Sequence, residues 1–172
     1  AAIHVAISSR TRQPDHLDWP ADPELPFPSV EQIVEAVRPY PPRTLLWLGG
    51  GEPTLHPRLP LLISSLAKAG HRHIGLDTDG LALVSPAVLT TLKRAGLRCV
   101  RIALHCSRPA AHDWLVGLPG SARRARKAIQ RAAQLGLAVE GSVTVTRPTT
   151  DHLVETVQLL GRLGVTSMRL RR

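Results

Sequence analysis

Residues Arg43-Thr44-Leu45-Leu46-Trp47-Leu48 run directly into Gly49-Gly50-Gly51-Glu52-Pro53. A short apolar run that stops at a glycine cluster reads as a buried strand ending in a tight turn. A helical stretch over residues 58–69 follows, closed by Gly70, and then His73 to Leu76 suits a second strand that ends in the turn Asp77-Thr78-Asp79-Gly80. Strand, turn, helix and strand in that order make a βαβ unit, whose strands are parallel.

The same rhythm extends in both directions. Upstream, residues 2–8 read as a strand. A proline-rich stretch from Pro14 to Pro28 follows, and Ser29 then caps a helix to about Arg38 with Ile33, Val34 and Val37 on one face. Pro39, Pro41 and Pro42 end that helix. Downstream, Ser85-Pro86 opens a helix that runs to Ala95 and stops at Gly96, and Arg98 to Cys106 is a strand. Ser121 caps a further helix closed by Gly136, and Ala138 to Thr146 is a strand. Thr150 or Asp151 caps a helix to about Leu163, and Val165 to Leu170 is the last strand. Six strands and five helices in strict alternation predict an α/β fold with a parallel sheet and crossover helices. Ligands of such folds sit at the carboxyl ends of the strands. Here those ends are Ser8-Ser9, Gly49–Glu52, Asp77–Gly80, His105–Ser107, Thr146-Arg147 and Arg171.

Composition narrows the function classes. The 172 residues fit one domain at the usual size of about 150 residues. No apolar run approaches the roughly 20 residues of a membrane span and no secretory leader opens the chain, so a cytoplasmic location is expected. Ala1 in place of Met predicts a processed chain or a domain excerpted from a longer one. The formal net charge is +9. Residues 1–79 carry 7 basic and 9 acidic side chains, and residues 80–172 carry 15 and 4. A basic half can mark a nucleic-acid partner. The densest run, Arg123, Arg124, Arg126, Lys127 and Arg131, is interleaved with Ala125, Ala128, Ile129 and Ala132 at helical spacing, which reads as a solvated face of an amphipathic helix. Aromatic residues are only 3% of the chain, so stacking platforms for bases are scarce and nucleic acid is not the expected partner. Two cysteines cannot supply a disulfide framework, a four-thiolate zinc site or a complete set of iron–sulfur ligands.

The glycine turn is no phosphate loop, because no Gly-Lys-Ser/Thr follows, and Pro53 and the glycine spacing exclude the dinucleotide fingerprint. Glycines there let backbone approach a ligand without an intervening Cβ, and Glu52 offers a carboxylate to an ammonium group. Gly50-Gly51-Glu52-Pro53-Thr54-Leu55-His56-Pro57 resembles the Gly-Gly-Glu-Pro segment of the radical S-adenosylmethionine (SAM) superfamily. Thr78-Asp79-Gly80 resembles the family's Thr-Asn-Gly after strand three, and Arg101-Ile102-Ala103-Leu104-His105 its fourth strand. His112-Asp113, Gly117 and Gly120-Ser121 resemble the loop and helix cap that follow. The resemblance implies a partial (β/α)6 TIM-like barrel of parallel strands filling residues 1–172, with the last helix missing. It also implies a SAM pocket at Gly50, Gly51, Glu52, Pro53, Thr78, His105 and Ser107. Ser107 enters because Ala103 stands where many relatives carry a serine.

The family holds a [4Fe–4S] cluster on a Cys-x3-Cys-x2-Cys loop after strand one. In the best register Thr11, Asp15 and Asp18 occupy those three places, beside Arg10, Arg12 and Gln13. A hydroxyl and two carboxylates are hard donors, whereas iron–sulfur clusters take soft thiolates. Cys99 and Cys106 on one strand would be about 23 Å apart and on opposite faces. The [4Fe–4S] cluster is therefore not expected, and no catalytic residue or metal ligand is assigned. The expectation is a pseudoenzyme that keeps a SAM or nucleotide pocket and acts by binding, with a protein or peptide as its partner and its oligomeric state open. The alternatives are an active enzyme with cluster ligands supplied from elsewhere, a hard-metal site at Asp15, His16 and Asp18, and a basic nucleic-acid-binding module.

Overall fold

The computed structural model describes residues 1–11, 22 and 24–171. Six strands, β1 (Ala2–Ser8), β2 (Leu45–Gly50), β3 (Ile74–Thr78), β4 (Leu97–Ala103), β5 (Ala138–Thr144) and β6 (Ser167–Arg171), form one sheet in sequence order. Every neighbouring pair is parallel. Helices α1 (Val30–Val37), α2 (Leu59–Lys68), α3 (Pro86–Ala95), α4 (Pro109–Leu115), α5 (Ser121–Gln134), α6 (Arg147–Thr150) and α7 (Leu153–Arg162) lie between the strands. This is the parallel α/β sheet that the βα rhythm predicted and the partial barrel that the resemblance implied, with no helix after β6 among the described residues.

The core lies between sheet and helices. Leu46, Leu48, Ile74, Leu76, Val100, Ile102 and Val139 face outward from the strands and are fully buried. They meet the apolar stripes of the helices, such as Ile33 and Val37 of α1, Leu62, Ile63 and Leu66 of α2, and Ala125, Ala128, Ile129 and Ala132 of α5. The alternation of strand side chains sends the other set into the barrel. Register places Trp47, Gly75, Cys99 and Ala138 in one inner row, and Asp77, Arg101, Glu140 and Ser167 in the row nearer the carboxyl ends.

The structure corrects the sequence reading in four places. The fourth strand stops at Ala103 rather than Cys106, and the next turns lead into α4, a seven-residue helix that the reading omitted. Pro109 at its first turn marked that start. The fifth strand ends at Thr144, and Thr146 caps the short α6 before α7 begins. The cap residue of α5 is Gly120 in the left-handed conformation, not Ser121, and Asp113 of α4 accepts from the backbone N–H groups of Gly120 (2.6 Å) and Ala122 (2.7 Å). The position of His71 at a strand entrance suggests a surface residue and Trp114 a core or rim anchor, but His71 is buried and Trp114 is 58% exposed. No helix among the described residues is long and apolar enough to cross a membrane.

A candidate ligand site at the carboxyl ends of the strands

The turn after β2 is shaped by the chain itself. Gly50 adopts φ +101°, and a Cβ there would lie 2.3 Å from the Ser8 carbonyl oxygen. A Cβ on Gly51 would lie 2.2 Å from the Arg10 carbonyl oxygen. The Gly51 N–H donates to Ser8 (2.5 Å) and the Glu52 N–H to Arg10 (2.5 Å). The chain leaving β1 therefore crosses directly over these two glycines. Close approach is what they permit, as read from the sequence, but the approaching group is the backbone of residues 8–10.

Pro53 opens a 3-10 turn, Pro53–Leu55, with Glu52 as its cap. The Glu52 carboxylate, 2% exposed, accepts from the Thr54 N–H (2.9 Å) and from the Thr54 hydroxyl. It also accepts from the Thr78 hydroxyl (2.8 and 3.0 Å) and from the Asp79 N–H (2.8 Å). The Thr78 hydroxyl in turn accepts from the Gly80 N–H (3.1 Å). Glu52 and Thr78 thus bond to each other, and they tie the end of β2 to the end of β3. Most of the lone-pair directions of this carboxylate are used within the protein.

His105 stands just past β4 and is buried. Its Nδ1 accepts from the Thr144 N–H (3.1 Å), which puts its proton on Nε2. The His105 N–H donates to Nδ1 of His112 (3.1 Å), and the two rings lie 5.4 Å apart. Burial, then neighbouring His112 and Arg171, depresses the His105 pKa to about 3. Burial lowers that of His112 to about 4, Asp113 opposing and Arg126 reinforcing the shift. Both imidazoles are neutral near pH 7, and His105 presents an Nε2–H donor at the strand ends. Ser107 is directed elsewhere: its hydroxyl donates to Glu155 (3.1 Å) and its N–H to the Thr156 hydroxyl (2.8 Å), both on α7.

Below this rim the barrel holds a charged cluster that the sequence reading did not single out. Arg101, 1% exposed, donates to Asp77 (2.9 Å) and Glu140 (2.5 Å) and lies 3.9 Å over the Trp47 ring. Arg169 stands 3.9 Å from Glu140, and Arg171 donates to the Ser142 hydroxyl (3.1 Å) and lies 4.0 Å from Asp77. The clue was available. Asp77, Arg101 and Glu140 are charged residues within strands, and on the inner face of a curved sheet such side chains need one another as partners.

The sequence of the loop after β1 holds no thiol to serve a [4Fe–4S] cluster. No cysteine occurs before Cys99. Cys99 is on the inner row of β4, its thiol pushed up to about 11 by burial and then by Glu140, while Cys106 lies buried beyond the strand. Both are free thiols. Of the three positions in the cluster register, Thr11 is described and exposed, whereas Asp15 and Asp18, with His16, lie outside the described residues. Among the described residues no three His, Cys, Asp or Glu side chains group as metal ligands.

Residues 9–160 match the Radical SAM superfamily. GTP 3',8-cyclase of Xanthomonas campestris pv. campestris (strain B100) is 35% identical over 126 residues, which is 73% of this chain and 36% of that protein. GTP 3',8-cyclase of Aquifex aeolicus (strain VF5) is 31% identical over 121 residues, 69% of this chain and 37% of that one. The chain thus spans little more than a third of the length of these curated relatives. Streptococcus suis SuiB bound to its precursor peptide SuiA superposes with a TM-score of 0.80 at 13% identity, over 98% of this chain and 38% of that chain, a likeness of fold. Sequential parallel strands, the Gly-Gly-Glu-Pro turn bonded to the end of β3, and a family match over most of its length together make this chain a member of the radical SAM superfamily.

Proposed function

We propose that this chain acts by binding, taking S-adenosylmethionine at the carboxyl ends of its strands without an iron–sulfur cluster of its own. One observation carries the reading: the loop after β1 contains no thiol, and the two cysteines of the chain sit on and just past β4. Iron–sulfur clusters are held by thiolates, and reductive cleavage of SAM draws its electron from such a cluster. What remains is a rim of the right kind for an adenosyl ligand: the Glu52–Thr78 pair, the glycine turn with Pro53, and the His105 Nε2–H. An ammonium group would compete with Thr54 and Asp79 for Glu52, which predicts weak affinity. Ser107 joins the rim only if its bond to Glu155 opens. A domain of this kind serves as a regulatory or substrate-presenting partner of another protein or peptide.

The second reading is an active enzyme whose cluster ligands come from elsewhere. The identity to proteins named GTP 3',8-cyclase favours it. Anaerobic reconstitution with iron and sulfide separates the two. The binding reading expects no stable iron and sulfide per chain, and a stable four-iron cluster overturns it. Calorimetry with SAM tests the site itself. Glu52→Gln should weaken SAM by about tenfold, the loss of one charged hydrogen bond. Unchanged affinity in that variant removes Glu52 from the site, and no heat from the parent chain rejects SAM as the ligand.

A further inference from the structure

The opposite end of the barrel carries a separate cavity. It has a volume of about 450 Å³ and lies at the amino ends of β2 to β6, with Leu45, Trp47, Cys99 and Ala138 among its walls. Gly75 supplies the room for its floor: a Cβ there would lie 2.6 Å from the Trp47 ring and 2.7 Å from the Cys99 sulfur. The indole therefore lies against bare backbone, with the Arg101 guanidinium stacked on it 3.9 Å from the ring centroid. Arg101 is held from the carboxyl-end side by Asp77, so Trp47 and Arg101 form a partition between this cavity and the strand-end rim.

The mouth is basic. Arg43, His73 and Arg98 line it and are exposed. An adjoining depression shares Arg43 and His73 and adds Arg72. None of these three arginines pairs with a carboxylate among the described residues. The acid in the wall, Glu140, is already neutralised by Arg101 and approached by Arg169. An apolar, partly aromatic cavity with unpaired guanidinium groups at its opening is complementary to a flat apolar acid, whose ring enters toward Trp47 and whose anionic group stays at the rim.

We propose that the amino-end cavity is a second ligand site, for a small aromatic carboxylate or sulfonate, separate from the strand-end site. It stands independently of whether SAM binds, because no residue of its walls belongs to the strand-end rim.

The probe is 8-anilinonaphthalene-1-sulfonate, an aromatic sulfonate whose fluorescence rises in apolar surroundings. The full chain should bind one equivalent. Arg43→Gln with Arg98→Gln, both at exposed positions, should weaken binding by about tenfold, and high salt should do the same to the parent. Ala138→Trp, at an exposed position in the mouth, should abolish binding and leave the circular dichroism and the melting temperature unchanged. A second readout is alkylation of Cys99 by iodoacetamide at pH 9, followed by peptide mass mapping; bound probe should slow it, while buried Cys106 stays unmodified. Absence of binding, equal affinity in the arginine and Ala138 variants, or alkylation of Cys99 indifferent to the probe overturns the proposal. None of these readouts uses SAM, so a failure here is distinct from a failure at the strand ends.

Discussion

His105 and His112 show how a buried side chain ties acidity to stability. Each titrates near 6.5 in an unfolded chain but at about 3 and about 4 in the fold. As pH falls below 6.5 the unfolded chain takes up protons first, so the stability that rests on neutral imidazoles is complete above pH 6.5. It declines steadily down to the folded values. At pH 5 each histidine costs about 2 kcal/mol. His112→Asn keeps an acceptor near the His105 N–H but removes one titrating ring. Urea unfolding at pH 7 and pH 5 should show a drop in stability about 2 kcal/mol smaller in this variant than in the parent. An equal drop would show that His112 does not titrate in this window. Glu52 was legible in the sequence because it sits in a glycine turn directly after an apolar strand, and Thr78 through the resemblance of Thr78-Asp79-Gly80 to the family's Thr-Asn-Gly. The role of His112 was not, since α4 had to be seen before its ring could be placed beneath the His105 N–H.

At the scale of elements, α5 illustrates a cap supplied across a turn. Its first N–H groups have no partner within the helix, and Gly120 has no side chain to offer them. Asp113, seven residues before Gly120, reaches them from α4 with both oxygens, and its negative charge sits where the helix dipole favours it. Asp113→Ala should lower stability by about 1 to 2 kcal/mol, with Asp113→Asn intermediate, as measured by chemical denaturation. A neutral Ala variant would place the capping energy elsewhere, at Ser121 for example. The sequence located the start of this helix to within one residue through Gly120-Ser121, because glycine and serine punctuate chains locally. It misassigned the capping group, because that group comes from another element. The basic face was read correctly as amphipathic: Arg123 and Lys127 are exposed opposite buried Ala125 and Ile129. Arg126 is an exception, since it turns back to donate to the Ser107 carbonyl.

At the scale of the whole molecule, the barrel interior depends on Arg101. It is fully buried, with two carboxylates and an indole as its partners. Arg101→Leu would leave Asp77 and Glu140 facing each other with only Arg169 and Arg171 nearby. Removing one member of such a buried cluster costs about 3 to 5 kcal/mol. Thermal unfolding should show a large fall for Arg101→Leu and a smaller one for Arg169→Leu, whose side chain is 43% exposed. Equal effects would mean that the cluster is not centred on Arg101. The sequence disclosed the outer shell almost completely, because strand and helix periods record which face meets the core. The interior was hidden, because which inward residues are level with one another depends on register, and register is a property of pairs of strands.

Each strand of this sheet pairs with the strand that follows it in the chain. No strand has to wait for a distant segment before its inner edge is satisfied. The barrel can therefore assemble by accretion, one βα unit at a time, in the order in which a ribosome delivers it. Among these six strands the joint of β5 with β6 comes last, and it brings Arg169 and Arg171 to the acids already in place. Pairing of β6 thus sets two further arginines beside acids that Arg101 already holds.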